Sequence, residues 1–389
     1  KWGILVMLLL LGLVLWLTIV GANYPSAWLS AGFSHLQGWL SLLLETIHTP
    51  HWLHSLLIDG IYNVLTCVIA VMLPPMAIFF PLFTLLEDFG YLPRVAFHLD
   101  KPFQRACACG KQGLTMCMGF GCNACGVTGC RIIDSPRERL IAILTNSFAP
   151  CNGRFPLLIF LCAVFFDAGS AGGALLLTSV IAGSVLLTLA ASRLLSAFFL
   201  RGLPSSFVLE LPPYRRPQPG KVIVRSIFDR TLFVLGRAMI VAAPAGALIW
   251  LLANITVSGS SLYSSMTAFL DPLARFFGLD GVILAAFLLG FPANELVMPL
   301  IVLGYLSGGT LADVSDLLSF RALLLANGWT GCTALCTLLF TICHWPCSTT
   351  CLTIFRETHS VRYTLAAIAL PTGFGLALCA LARLLFVPL

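Results

Sequence analysis

Two stretches of this chain set cysteine, asparagine and a lone glutamate beside glycine and proline inside otherwise apolar sequence. The first is Gly119-Phe120-Gly121-Cys122-Asn123, followed by Ala149-Pro150-Cys151-Asn152-Gly153-Arg154-Phe155-Pro156. The second is Gly290-Phe291-Pro292-Ala293-Asn294-Glu295, followed by His344-Trp345-Pro346-Cys347-Ser348-Thr349-Thr350-Cys351. Pro and Gly break a membrane helix, and the freed backbone is tolerated only where protein or a water-filled cavity satisfies it. Paired broken segments in two halves of a chain point to a transport site near the bilayer midplane. Thiolate, imidazole and carboxylate together suit Fe(II), Zn(II), Co(II) or Cu rather than Mg or Ca. Affinity order favours Cu and Zn over Fe(II), so the ligand types alone do not name the metal.

Glu295 follows eleven largely apolar residues, 284–294, and precedes Leu296-Val297. A carboxylate buried in a membrane needs a counter-charge, so a cation or Arg154 is expected beside it. Arg154 shares its apolar run with Asn146 and Asn152. Its expected role is structural, on a buried carboxylate or on carbonyls freed at Pro150 and Pro156, because a guanidinium repels a metal ion. Cys151, three residues earlier, is the better ligand candidate. In the first half Cys107, Cys109, Cys117, Cys122, Cys125 and Cys130 lie among six glycines. Zinc-like spacing needs two tight pairs; Cys122-x-x-Cys125 is one, and Cys107-x-Cys109 is a poor second. The favoured reading is a gate in which Cys122 offers sulfur and Asn123 a carbonyl oxygen. Gly110-Lys111 lacks the spacing of a phosphate loop. In the second half Cys343, Cys347 and Cys351 recur every four residues, which puts them on one helix face. Pro346 frees a carbonyl near Ile342, and His344 adds a nitrogen. For any single cysteine the plain alternative is packing as a small hydrophobe.

The elements that position these residues must be membrane helices. Of 389 residues, 59% are hydrophobic and 10% charged, with mean hydropathy +0.96; soluble domains carry about 25% charged residues. Fifteen cysteines in a chain of this length and hydropathy do not make a secreted disulfide scaffold. The net charge of +6 sits in a few loops, so nucleic acid is not an expected partner. The first apolar run lacks a small-residue cleavage site, and no removed signal peptide is expected. Candidate spans are 4–22, 61–86, 138–166, 173–200, 231–253, 281–306, 322–355 and 363–387. Residues 26–57, with Trp28, Trp39, Trp52, His35, His48, His51 and His54, suit amphipathic helices at the outer interface.

No Lys or Arg falls between Lys1 and Arg94, which places 23–60 outside. Basic residues around 94–139 and 201–237 mark the cytoplasmic side, and the Pro-rich stretch from Leu211 to Gly220 reads as a linker. Arg356 and Arg362 put loop 356–362 inside, which conflicts with two full crossings at 281–306 and 322–355. Making 281–306 re-entrant from the outside, and 106–130 its mirror image from the inside, resolves the conflict. Phe97-His98-Leu99-Asp100-Lys101-Pro102 resembles Phe269-Leu270-Asp271-Pro272, each ahead of a Gly-Phe break. The fold expected is therefore an all-α polytopic membrane protein of seven to eight spans with two inverted repeats. Its parts are 1–60 (first span and interfacial helices), 61–200 (first repeat), 201–230 (cytoplasmic linker), 231–362 (second repeat) and 363–389 (C-terminal span).

At these residues the chain resembles the membrane domain of the FeoB family, the bacterial ferrous iron transport proteins B. The matching blocks are Leu86 to Arg94, Gly119 to Asn123, Asp134 to Arg139, Pro150 to Pro156, Phe291 to Glu295, and Trp345 to Ser348 with Arg356 to Thr358. The resemblance implies two Gate repeats in the bacterial inner membrane and Fe2+ as cargo, with Cys122, Cys151 and Cys347 at positions proposed to line the iron path. Asn123, Asn294, Glu295 and His344 complete the expected path, with Cys125, Arg154, Cys343 and Cys351 as further candidates. It also implies a GTP-binding domain, with GTP and Mg2+, that is absent from this chain, and small Feo accessory proteins as partners. The chain itself is then a permease in the lipid bilayer, not an enzyme, and forms a homo-oligomer in one reading. Asn294 stands where many relatives carry Lys, and Cys125, Cys343 and Cys351 are not general to the family. A carrier of nucleosides or other organic solutes, or a membrane scaffold, are the alternatives.

Overall fold

A computed structural model describes residues 2–88, 90–165, 171–199, 220, 224, 226–257, 259–306 and 317–386. Residues 201–219 of the expected linker, and residues 307–316, lie outside the described residues. Six described helices are long and apolar enough to cross a membrane, or seven if one pair bent by 110° counts as a span. The chain is a multi-pass, all-α membrane protein.

Helix α1 (Trp2–Thr46) runs on through Pro25, where the sequence suggested a span followed by separate interfacial helices. A proline inside a helix removes one hydrogen bond and need not end it. At 45 residues it is about 68 Å long, roughly twice the hydrocarbon thickness. After it come α2 (Asn63–Asp88), α3 (Tyr91–Arg105), α4 (Gly110–Gly121), α5 (Asn123–Gly129), α6 (Pro136–Thr145), α7 (Phe155–Phe165) and α8 (Ala171–Phe198). The second half holds α9 (Phe233–Asn254), α10 (Leu262–Phe276), α11 (Gly281–Leu289), α12 (Val297–Leu306), α13 (Leu317–Ala326), α14 (Gly331–Cys343), α15 (Ser348–Thr358) and α16 (Val361–Phe386).

The two halves repeat one another in backbone detail. Both α2 and α9 are preceded by a seven-residue π-helical segment, Leu56–Tyr62 and Ser226–Leu232, with an aspartate at its fourth position. These helices cross antiparallel. A Cβ on Gly60, at the start of one, would meet Trp250 Cβ at 2.9 Å near the end of the other. At the opposite end Ser226 Oγ donates to Thr84 Oγ1 at 3.3 Å. Next in each half comes a helical hairpin whose second helix begins with an orphan backbone N–H. Asp100 accepts it from Gly110 at 2.9 Å, and Asp271 accepts it from Gly281 at 3.1 Å, ten residues on in both cases. The hairpins then break in the same way, with Cys122 at φ −155°, ψ 124° and Ala293 at φ −153°, ψ 124°. The following crossings break at Cys151 (φ −78°, ψ 168°) and Cys347 (φ −63°, ψ 160°).

An antiparallel pair of equivalent helices makes these inverted repeats. On this correspondence α16, set apart in the sequence as a C-terminal span, stands where α8 stands, and α13 is an insertion of the second half. Between the repeats lies the main apolar core, from Phe148, Phe155 and Leu158 to Phe287, Leu296 and Phe340. At the rim assigned to the cytoplasm, Arg131 holds Glu357 with bonds of 2.6 to 3.1 Å, joining the end of α5's segment to α15.

Because the two aspartates do the same work, Asp100→Ala and Asp271→Ala should each destabilise by about 1 kcal/mol, the usual cost of losing a helix cap. Thermal unfolding in detergent checks this. The double variant should fall by the sum, since the two caps serve different hairpins.

Candidate functional site

The four breaks meet. One cavity, of about 30 Å3, is lined by Cys122 and Asn123, by Cys151, Asn152 and Gly153, by Asn294 and Glu295, and by Cys347, Thr349 and Thr350. Met72 and Met76 of α2 and Val234 and Ala238 of α9 close its wall. Each break ends one half-helix and starts another, and the three cysteines are the residues immediately before helical starts. Cysteine at these positions thus presents its sulfur at a break in the backbone.

The carbonyls left behind need donors. Arg154 is 1% exposed, and its Nη1 donates to Ser147 O at 2.9 Å and to Ile342 O at 2.7 Å. Nη2 donates to His344 O at 3.1 Å and Trp345 O at 3.2 Å. Three of these acceptors belong to the other repeat, at the break made by Pro346. Only Nε of Arg154 finds no acceptor among the described residues. The expectation of freed carbonyls as partners therefore holds in kind, with most of them at the second repeat's break. Ser348 repeats the device in small, its N–H donating to Phe291 O at 2.8 Å and its Oγ to Pro292 O at 3.2 Å. Asn146 donates to Asn123 O at 3.0 Å, and Gly126 leaves the room, since a Cβ there would fall 2.6 Å from the Asn146 amide.

With Arg154 directed to carbonyls, Glu295 keeps its carboxylate on the cavity. A Cβ at position 153 would strike that carboxylate, so Gly153 is what gives it space. The Asn294 amide lies between two partners, 3.6 Å from Cys151 Sγ and 3.3 Å from His344 Nε2. Cys347 Sγ is 3.2 Å from Thr350 Oγ1. Among the described residues no three His, Cys, Asp or Glu side chains are close enough to hold one ion. Any cation met here is met by few charged groups at a time, together with neutral oxygens.

Six of the residues singled out in the sequence share this cavity: Cys122, Asn123, Cys151, Asn294, Glu295 and Cys347. Five others do not line it. His344 stands behind Asn294 and Arg154 behind the break; Cys351 Sγ is turned to Pro346 O at 3.6 Å; Cys343 is buried where α14 meets Gly375 of α16. Cys125 sits one turn beyond Cys122, within hydrogen-bond reach of its thiol. Met72, Met76 and Gly153 escaped sequence reasoning. Two methionines four apart around Pro74-Pro75 in an apolar run were the available sign.

Residues 69–165 and 235–361 match the family described as Gate, nucleoside recognition, and residues 177–229 match that described as ferrous iron transport protein B C terminus. The Fe(2+) transporter FeoB of Synechocystis sp. is 30% identical over 342 residues, 86% of this chain and 54% of that protein. The Fe(2+) transporter FeoB of Staphylococcus aureus (strain COL) is 28% identical over 329 residues, covering 82% and 47%. An Fe(2+) transport protein A/Fe(2+) transporter FeoB fusion protein of Porphyromonas gingivalis is 32% identical over 235 residues, covering 60% and 27%. The chain spans about half the length of the first two relatives. No solved structure matches it significantly.

Removing the guanidinium would strand four carbonyls in a dry interior. Since hydrogen bonds to a charged group are worth about 1.5–3 kcal/mol each, Arg154→Met should lower stability by at least about 3 kcal/mol. Arg154→Lys, with charge but no planar fork, should fall between. Thermal unfolding in detergent reads both.

Proposed function

Because the chain belongs to the FeoB family, as its membrane part, we propose that it carries Fe2+ across the bacterial inner membrane through the cavity between the repeats. One observation carries this reading: three cysteines and a glutamate, drawn from all four breaks, converge on one cavity with two asparagines. Relatives named as Fe(2+) transporters support the choice of iron, which the donor types alone leave open. In this reading Fe2+ loses water at the outer side and is met by Cys347 and Glu295. It then passes Cys151 and Cys122 toward the cytoplasm, with Asn294 and Asn123 as neutral oxygen donors. Conduction needs sites weak enough to leave as well as to occupy, and a scattered set of soft and hard donors suits that need. A GTP-hydrolysing domain and small Feo proteins are the proposed partners. The fusion relative supports the latter.

The test is Fe2+ uptake into anaerobic proteoliposomes holding a trapped chelator, with and without a matched GTPase domain. Uptake should fall about ten-fold or more in Cys151→Ser, Cys347→Ser and Glu295→Gln while folding persists, since even outer-shell changes cost metal sites about 10–100-fold. Gly153→Ala, which pushes the Glu295 carboxylate aside, should fall with them. Uptake unaffected by all four would contradict the reading. Nucleoside uptake in their place would favour the organic-solute carrier suggested by the Gate description.

A further inference from the structure

We propose that His344 fixes the direction of the Asn294 amide, turning its carbonyl oxygen to Cys151 and the cavity. The cation then meets a sulfur and an oxygen side by side, and His344 is a positioning residue behind them. This rests on the reading of the cavity as a cation path.

His344 Nδ1 is 2.9 Å from Thr341 O. A carbonyl only accepts, so Nδ1 carries a hydrogen. The ring is 1% exposed and sits against Phe287 and Phe340, with centroids 4.8 and 6.1 Å away. Arg154 already donates to the carbonyl of this same residue at 3.1 Å. A second cation beside that guanidinium, in apolar surroundings, would be a buried charge without compensation. The imidazole is therefore neutral, with its lone pair on Nε2. Asn294 Oδ1 lies 3.3 Å from that lone pair, two acceptors face to face, so the contact is satisfied only with the amide turned over and its NH2 toward the ring. Turning the amide over exchanges the Nδ2 that lies 3.6 Å from Cys151 Sγ for the oxygen, to which a thiol can donate. Which amide atom is oxygen follows from the partners, as it does for any asparagine whose hydrogens are unseen.

The equivalent residue of the first repeat reaches the same result by other means. Asn123 is satisfied only with its nitrogen toward Gly119 O and Ala149 O, both at 3.1 Å. That turns its oxygen away from both carbonyls on a residue that lines the cavity. A backbone cradle holds one asparagine and an imidazole holds the other. The donors offered are then sulfur from Cys122, Cys151 and Cys347 and oxygen from Asn123, Asn294 and Glu295. Such a mixture suits borderline divalent ions over Mg2+, which wants oxygen alone, and over Cu(I), which wants sulfur.

Solid-state NMR on 15N-histidine protein in lipid, with the His344 signals identified by their loss in His344→Gln, reads the tautomer directly. An Nδ1–H ring with bare Nε2 is expected; hydrogen on Nε2 would overturn the proposal. In parallel, anaerobic Co2+ binding is followed by its sulfur-to-metal charge-transfer band. His344→Leu, with no acceptor for Asn294, should weaken Co2+ by about ten-fold, as outer-shell changes do. His344→Gln, whose amide oxygen can accept, should recover most of it, and both should reach the wild-type sulfur band at saturation. Equal loss in both variants would make His344 a ligand and sink the inference alone. Wild-type protein that binds no Co2+ would sink the cation reading and this inference with it.

Discussion

Four carbonyl oxygens converge on the guanidinium of Arg154, and the rest of the site depends on that contact. Backbone that leaves a helix inside a membrane must find hydrogen bonds within the protein. A break wide enough to expose Cys347 and Ser348 would otherwise close into continuous helix or fill with water. Arg154 comes from the first repeat and most of its acceptors from the second, so the break of one half is held open by the other. The same contact explains why Glu295 is left to the cavity. Had the guanidinium paired with it, the carboxylate would be neutralised and the carbonyls stranded.

Around this clamp the inverted repeats supply one backbone twice and decorate it differently. Cys122 and Ala293 share their torsion angles within two degrees, yet one brings a thiol and the other a methyl group. Asn123 and Asn294 follow them in register, and Cys151 matches Cys347. The scaffold is therefore close to two-fold while the donors are not: the second half adds Glu295 where the first has Ala124. On the proposed path a cation would meet a changing set of donors rather than one closed cage, as passage requires.

Much of the fold was legible because its causes are local. Gly-Phe and Pro-Cys in apolar runs mark the breaks, and Asp100 and Asp271 ahead of equivalent glycines mark the hairpins. Basic loops assign an inner side as an expectation, and their conflict at 356–362 pointed to re-entrant segments. What stayed hidden depends on distant partners. Nothing near Arg154 in the chain tells that its bonds reach residues about 190 positions away. Gly153 reads as a turn residue until Glu295 is placed against it. The continuity of α1 through Pro25 and the π-helical openings of α2 and α9 have no clear signature in composition. His344 reads as a ligand by type, and only its bond to Thr341 O reveals which nitrogen is free.

The central claim is that one cavity between the repeats binds the ion with sulfur and oxygen together. Iron K-edge X-ray absorption on anaerobic, Fe2+-loaded protein tests it most directly. The account predicts sulfur and oxygen neighbours in the same first shell, with fewer sulfur neighbours in the Cys151→Ser, Cys347→Ser double variant. A shell of nitrogen and oxygen alone, or a sulfur shell untouched by that variant, would contradict it.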